Sequence, residues 1–133
     1  MGAGSVDSGG VTDTPGPVLT VTMDATDPDA LAPFWAAALR YRVAGTEGGY
    51  VALVPLSGGG PNVLLQRVPE PKSGKNRTHL DLKVPDIEAE AARLESLGAR
   101  RTAGPVAELG SRWIVMADPE GNEFCVCDGQ GGC

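Results

Sequence analysis

The chain uses one pattern twice. VLTVTMDATDPDALAPFWAAALRYRV (residues 18–43) is matched later by RTHLDLKVPDIEAEAARLESLGARR (77–101), and setting Asp27 over Asp86 puts Thr20 over His79. An internal repeat of this kind means that one supersecondary unit occurs twice, so both halves must fold alike and bury their faces together.

Each copy opens with strict alternation. Leu19, Val21 and Met23 alternate with Thr20, Thr22 and Asp24, and Leu80, Leu82 and Val84 alternate with His79, Asp81 and Lys83. Alternation of period two predicts a strand with one apolar and one polar face. Each strand then meets a capping aspartate: Asp27 with Pro28 at the first helical position, and Asp86 after Pro85. Apolar residues at helical spacing follow, Leu31, Trp35, Ala38 and Leu39 in one copy and Ile87, Ala91, Leu94 and Leu97 in the other. The second helix ends at Gly98, suited to the left-handed cap, whereas Arg40 holds that place in the first. Pro33 inside the first helix predicts an irregular or kinked segment.

Short extended runs separated by turn residues come next: around 43–47, Tyr50 to Leu56 and Asn62 to Val68, then around 102–108, Arg112 to Ala117 and Glu123 to Cys127. Each half reads as strand, helix, strand, strand, strand. The class is therefore α+β, with two tandem βαβββ modules at about 18–70 and 77–128 in one domain at 18–129. Residues 1–17, rich in Gly, Ser, Thr, Asp and Pro, have little to bury and read as a disordered tail, and 130–133 read as a second short tail.

A formal charge of −6 and the lack of any dense Lys/Arg cluster argue against nucleic acid or an anionic membrane as partner. A small organic molecule is the expected one. No apolar run approaches the roughly 20 residues of a membrane span, and the first residues lack the basic and apolar parts of a secretory signal, so the expected location is cytoplasmic. Three cysteines, Cys125, Cys127 and Cys133, are an odd, clustered set that makes no disulfide framework, and free thiols are the default reading. The helices cover one side of each sheet, and the polar strand faces on the other side predict a cavity formed by both halves.

FWAAAL after ATDP, the HLDLKVPD run and the DPEGNEF turn (118–124) resemble the vicinal oxygen chelate superfamily, which includes glyoxalase I, extradiol dioxygenases and bleomycin-resistance proteins. The KNRTHLD run (75–81) is similar to the compact glyoxalase-like branch common in actinobacteria. The resemblance spans about residues 18–128 and implies paired modules curled into a half-barrel around one site, often in a homodimer.

It also implies metal ligands on the first and last strand of each module. His79 matches the ligand histidine, but the equivalent place in the first module is Thr20. Cys125 stands where the last-strand ligand Glu belongs, with Glu123 two residues earlier; the first-module equivalent falls near Leu64, with Gln66 two residues on. Only His79 and Cys125 remain as plausible donors, so no metal or other cofactor is expected, and a divalent ion would find an incomplete set. A zinc set of His79, Asp81, Cys125 and Cys127 stays open, provided that adjacent strands bring them within reach.

The expected function is metal-free capture of an antibiotic or secondary metabolite, with Thr20, Thr22, Asp24, Gln66, Arg77, His79, Asp81, Trp113 and Cys125 lining the cavity. Trp35 reads as core, whereas Trp113 could line the pocket; Lys75 and Arg77 could steer an anionic or carbonyl-bearing ligand. The alternative is an enzyme on the same scaffold, either a metal-dependent lyase, isomerase or dioxygenase, or an acid–base catalyst using His79 and Asp81. Cys125 would be a nucleophile only if a cation such as protonated His79 lowered its pKa.

Overall fold

The alternating and helical patterns become the elements they predict. In the computed structural model, which describes residues 18–129, these are β1 (Thr20–Ala25), α1 (Pro28–Leu39), β2 (Tyr41–Glu47), β3 (Tyr50–Pro55), β4 (Asn62–Arg67), β5 (Leu80–Lys83), α2 (Ile87–Ser96), β6 (Arg100–Glu108), β7 (Ser111–Ala117) and β8 (Glu123–Cys127). Both expected tails lie outside the described residues.

Two four-stranded sheets form, ordered β1-β4-β3-β2 and β5-β8-β7-β6. The first and last strand of each module pair in parallel, and the remaining pairs are antiparallel. The repeat thus extends to register: Thr22 stands opposite Leu64 in one module, and its counterpart Asp81 stands opposite Cys125 in the other. This is the two-module fold of the glyoxalase and bleomycin-resistance proteins.

Each helix is capped as its sequence requires. Asp27 accepts from the Ala30 amide at 3.2 Å and Asp86 from the Ala89 amide at 3.1 Å, satisfying amides that have no partner within the helix. α1 runs unbroken through Pro33. That proline lies on the exposed face, so the carbonyl whose hydrogen bond it removes can turn to water. Arg40, with φ at 59°, adopts the left-handed cap normally given to glycine, and its amide bonds to the Ala36 and Ala37 carbonyls.

One core serves both modules. Leu31, Trp35 and Ala38 of α1 meet Val51, Leu53, Val63 and Leu65 beneath them, and Ile87, Ala91 and Leu94 of α2 meet Ile114, Met116 and Val126 in the same cluster. Phe124 of the second module joins them: its ring stands edge-on to Trp35 with centroids 5.1 Å apart, and Phe34 lies 6.3 Å from it. Such aromatic contacts stabilise beyond the area they bury. Arg93 on α2 adds a polar tie, donating to the Ala37 and Ala38 carbonyls at 3.3 and 2.9 Å.

Candidate functional site

The DPEGN turn joins the modules where the site lies. Asp118 is 1% exposed and accepts from the Trp35 indole at 2.8 Å, from the Glu120 and Asn122 amides at 2.9 Å each, and from Asn122 Nδ2 at 3.0 Å. Glu120 reaches the start of α1: Oε1 accepts from the Thr26 amide at 2.7 Å and from Thr26 Oγ1 at 3.2 Å, and Oε2 from the Asp27 amide at 3.0 Å. A carboxylate at a helix N-terminus is favoured by the unpaired amides and the dipole there. Glu123 then fixes the approach to β5, accepting from the Asn76 amide at 3.2 Å while Asn76 Nδ2 donates to the Glu123 carbonyl at 3.1 Å. That clamp sets Arg77 and His79 at the junction.

Between these pieces is a cavity of about 400 Å³, within the range of small-molecule sites. Val21, Met23, Trp35 and Leu80 contribute apolar surface; Thr22, Asp24, Arg77, His79, Glu120 and Glu123 contribute polar groups. Among the predicted lining residues, Thr22, Asp24, Arg77 and His79 take their places there. Gln66 does not line this cavity; on β4 beside Asp24, it donates to Asp24 Oδ1 at 3.2 Å. Thr20 and Trp113 do not line the cavity. Trp113 lies at the start of β7, far along the strand from the turn, paired with Val106 and Cys127. β7 carries it away from the turn, since Trp113 stands four residues before the strand's end at Ala117. The turn and the segment around Glu70 to Ser73 line the cavity without having been anticipated.

Asp81 and Cys125 also lie outside this lining, yet they meet His79. His79 precedes β5 by one residue, Asp81 follows on the same face, and Cys125 is the cross-strand partner of Asp81. One donor atom from each, all within 4.8 Å of one another, makes a single cluster. Nδ1 of His79 and Oδ1 of Asp81 are 3.8 Å apart, an ion-pair distance longer than a hydrogen bond. Burial pushes the Cys125 thiol up, the Asp81 carboxylate adds to this, Lys75 opposes it and Glu123 adds again. The thiol is thus held neutral rather than activated, contrary to the condition for a nucleophile. Cys127 is disulfide-bonded, which corrects the free-thiol reading for that residue and removes it from the zinc set; Cys133 lies outside the described residues.

The superfamily's metal set draws on both modules. Here the first module offers a threonine hydroxyl at 20 and the hydrocarbon of Leu64, so these residues do not fit that ion.

The family model for the glyoxalase-like domain matches residues 20–127. The chain belongs to the glyoxalase-like domain family. Solved structures of similar fold include a glyoxalase/bleomycin resistance protein/dioxygenase family enzyme from Burkholderia phytofirmans PsJN, with a TM-score of 0.70 at 15% identity over 84% of this chain and 97% of that one. A glyoxalase/bleomycin resistance protein/dioxygenase from Nocardioides gives 0.69 at 19% identity over 92% and 89% of the two chains. TnmS3, an antibiotic binding protein from a Streptomyces species, gives 0.67 at 20% identity over 90% and 100%. Among curated proteins none matched. One fold can host both binding and catalysis, so the site rather than the fold must decide the function.

Proposed function

We propose that this glyoxalase-like chain is a binding protein that holds a small organic molecule, of the antibiotic or secondary-metabolite kind, in the cavity between its modules. It does so without the divalent ion of the superfamily's metal-dependent enzymes. The observation that carries this reading is the cavity itself: apolar surface from β1 and Trp35 beside a polar wall of Thr22, Asp24, Arg77 and His79, in a chain whose first-module ligand positions are Thr20 and Leu64. The fold shared with an antibiotic binding protein supports it, as does the similarity of the KNRTHLD run to the compact actinobacterial branch. Asp24 and Glu120 already accept hydrogen bonds from the protein, which leaves Arg77 and His79 to meet an acceptor on the ligand. A homodimer in the cytoplasm is part of the same proposal; sedimentation velocity checks the dimer. No described helix is long and apolar enough to cross a membrane.

Thermal-shift screening of chelator-treated protein against aromatic and glycosylated metabolites tests the reading. A ligand at 100 times its Kd stabilises the native state by about 2.7 kcal/mol, and the double variant Arg77→Ala/His79→Ala should abolish most of that shift. If every compound leaves the melting temperature unchanged, or if stabilisation survives in the double variant, the cavity is not the binding site.

A further inference from the structure

The cavity is lined by charges of both signs, and two of them have no partner in the protein. We infer, resting on the cavity reading, that the ligand is zwitterionic: an apolar or aromatic body that bears both a carboxylate and an ammonium group, as in an aromatic amino acid or a metabolite built from one.

The linker between β4 and β5 (68–79) supplies both charges. It is anchored on the first module by the Val68 amide, which donates to the Ala25 carbonyl at 3.0 Å, and on the second by the Asn76 amide, which donates to Glu123 Oε1 at 3.2 Å. Glu70 stands two residues after the first anchor and Arg77 one residue after the second, and both line the cavity. Among the described residues Glu70 and Arg77 make no hydrogen bond or ion pair, either with each other or with a third residue. The other charged groups of the lining are engaged. Glu120 accepts from the Thr26 and Asp27 amides, Asp24 from Gln66 and Glu123 from the Asn76 amide. Lys72 donates to the Gly74 carbonyl, and His79 faces Asp81.

One cation and one anion are thus left to a ligand, at the two anchored ends of one segment. Arg77 offers a planar donor fork that matches a carboxylate, and Glu70 accepts from an ammonium group. A ligand with a carboxylate alone would set an anion before Glu70, and one with an amine alone would set a cation before Arg77. A zwitterion meets both and adds no net charge to a lining in which Asp24, Glu70, Glu120 and Glu123 outnumber Lys72 and Arg77. Its apolar body has Val21, Met23, Trp35 and Leu80 to rest on.

The test is calorimetric titration of the full chain with L-tryptophan, with indole-3-propionate, which lacks the ammonium group, and with tryptamine, which lacks the carboxylate. Tryptophan should bind about fivefold tighter than either, the upper scale of one exposed ion pair. Arg77→Gln should weaken tryptophan and indole-3-propionate by about that factor and spare tryptamine, whereas Glu70→Gln should weaken tryptophan and tryptamine and spare indole-3-propionate. Both side chains are exposed, so neither exchange disturbs the core. If either singly charged probe binds as tightly as tryptophan, or if each variant weakens all three alike, the inference is overturned while the cavity remains a binding site. Failure of tryptophan to bind overturns it as well, and the separate metabolite screen then decides whether the cavity binds at all.

Discussion

The two modules share one backbone plan and differ in the side chains hung on it. At the three register positions that converge beside the cavity, the first module has Thr20, Thr22 and Leu64 and the second has His79, Asp81 and Cys125. One half of the repeat is therefore chemically quiet and the other carries the donors. The modules differ in helix capping as well. Asp86 caps α2 from within its own module, whereas α1 is capped by its own Asp27 and also by Glu120 of the second module. Once a unit is duplicated, one copy can keep structural duties while the other takes on chemistry, provided that the two stay locked together.

That lock is the DPEGN turn, and removing it should have the largest effect. Asp118→Ala leaves the Trp35 indole and turn amides without a buried acceptor, which costs roughly 3 kcal/mol or more at 1–3 kcal/mol per unsatisfied group. Urea denaturation followed by tryptophan fluorescence should show one transition at a lower midpoint. Two separated transitions would mean that the modules are stabilised independently, as two autonomous units.

Glu120→Ala should cost less, about 1–2 kcal/mol, the scale of losing a helix cap. Because the loss falls on α1 although the mutation is in the second module, amide exchange should quicken in the first turn of α1 and not in α2. Faster exchange confined to residues 118–122 would indicate that the cap is incidental.

The smallest effect concerns the tie on the other side. The Arg93 guanidinium holds the Glu90 carboxyl below its ordinary value near 4.5, chiefly by its hydrogen bond; burial opposes this, and the charges of Arg93 and Arg40 add smaller downward pulls. A carboxyl with a lowered folded pKa contributes stability that is present above the unfolded value and lost as pH falls through the folded one. Glu90→Gln should therefore lower stability at neutral pH by less than about 1 kcal/mol and flatten the acid side of the pH–stability curve below about 4.5. An unchanged acid limb in that variant would assign the pH dependence to other carboxylates.

The fold was legible because its signals are local. Alternation at 19–24 and 79–84, a capping aspartate before each helix and turn residues between the later runs each fix an element without reference to distant residues. The site was legible only where it rides on those elements. Thr22 and Asp24 follow from strand alternation, and Arg77 and His79 from the approach to β5. The share contributed by Glu120, Glu123 and the segment around Glu70 to Ser73 depends on how irregular chain is folded back over β1, which no periodicity encodes. Whether Trp113 reaches the cavity depends likewise on where along β7 it sits, which its sequence position alone does not say. The convergence of Asp81 and Cys125 with His79 depended on the register of β5 against β8, and the state of Cys127 on a partner that spacing alone does not identify.

On the proposed reading, a cavity between unlike modules holds a small organic molecule without a metal. The most direct measurement is calorimetric titration of chelator-treated protein with a compound found by thermal shift, repeated with Arg77→Ala/His79→Ala. The metal-free protein should show saturable binding that weakens at least about tenfold, 1.4 kcal/mol, in the variant. Binding that disappears when metal is removed and returns when it is restored would contradict it.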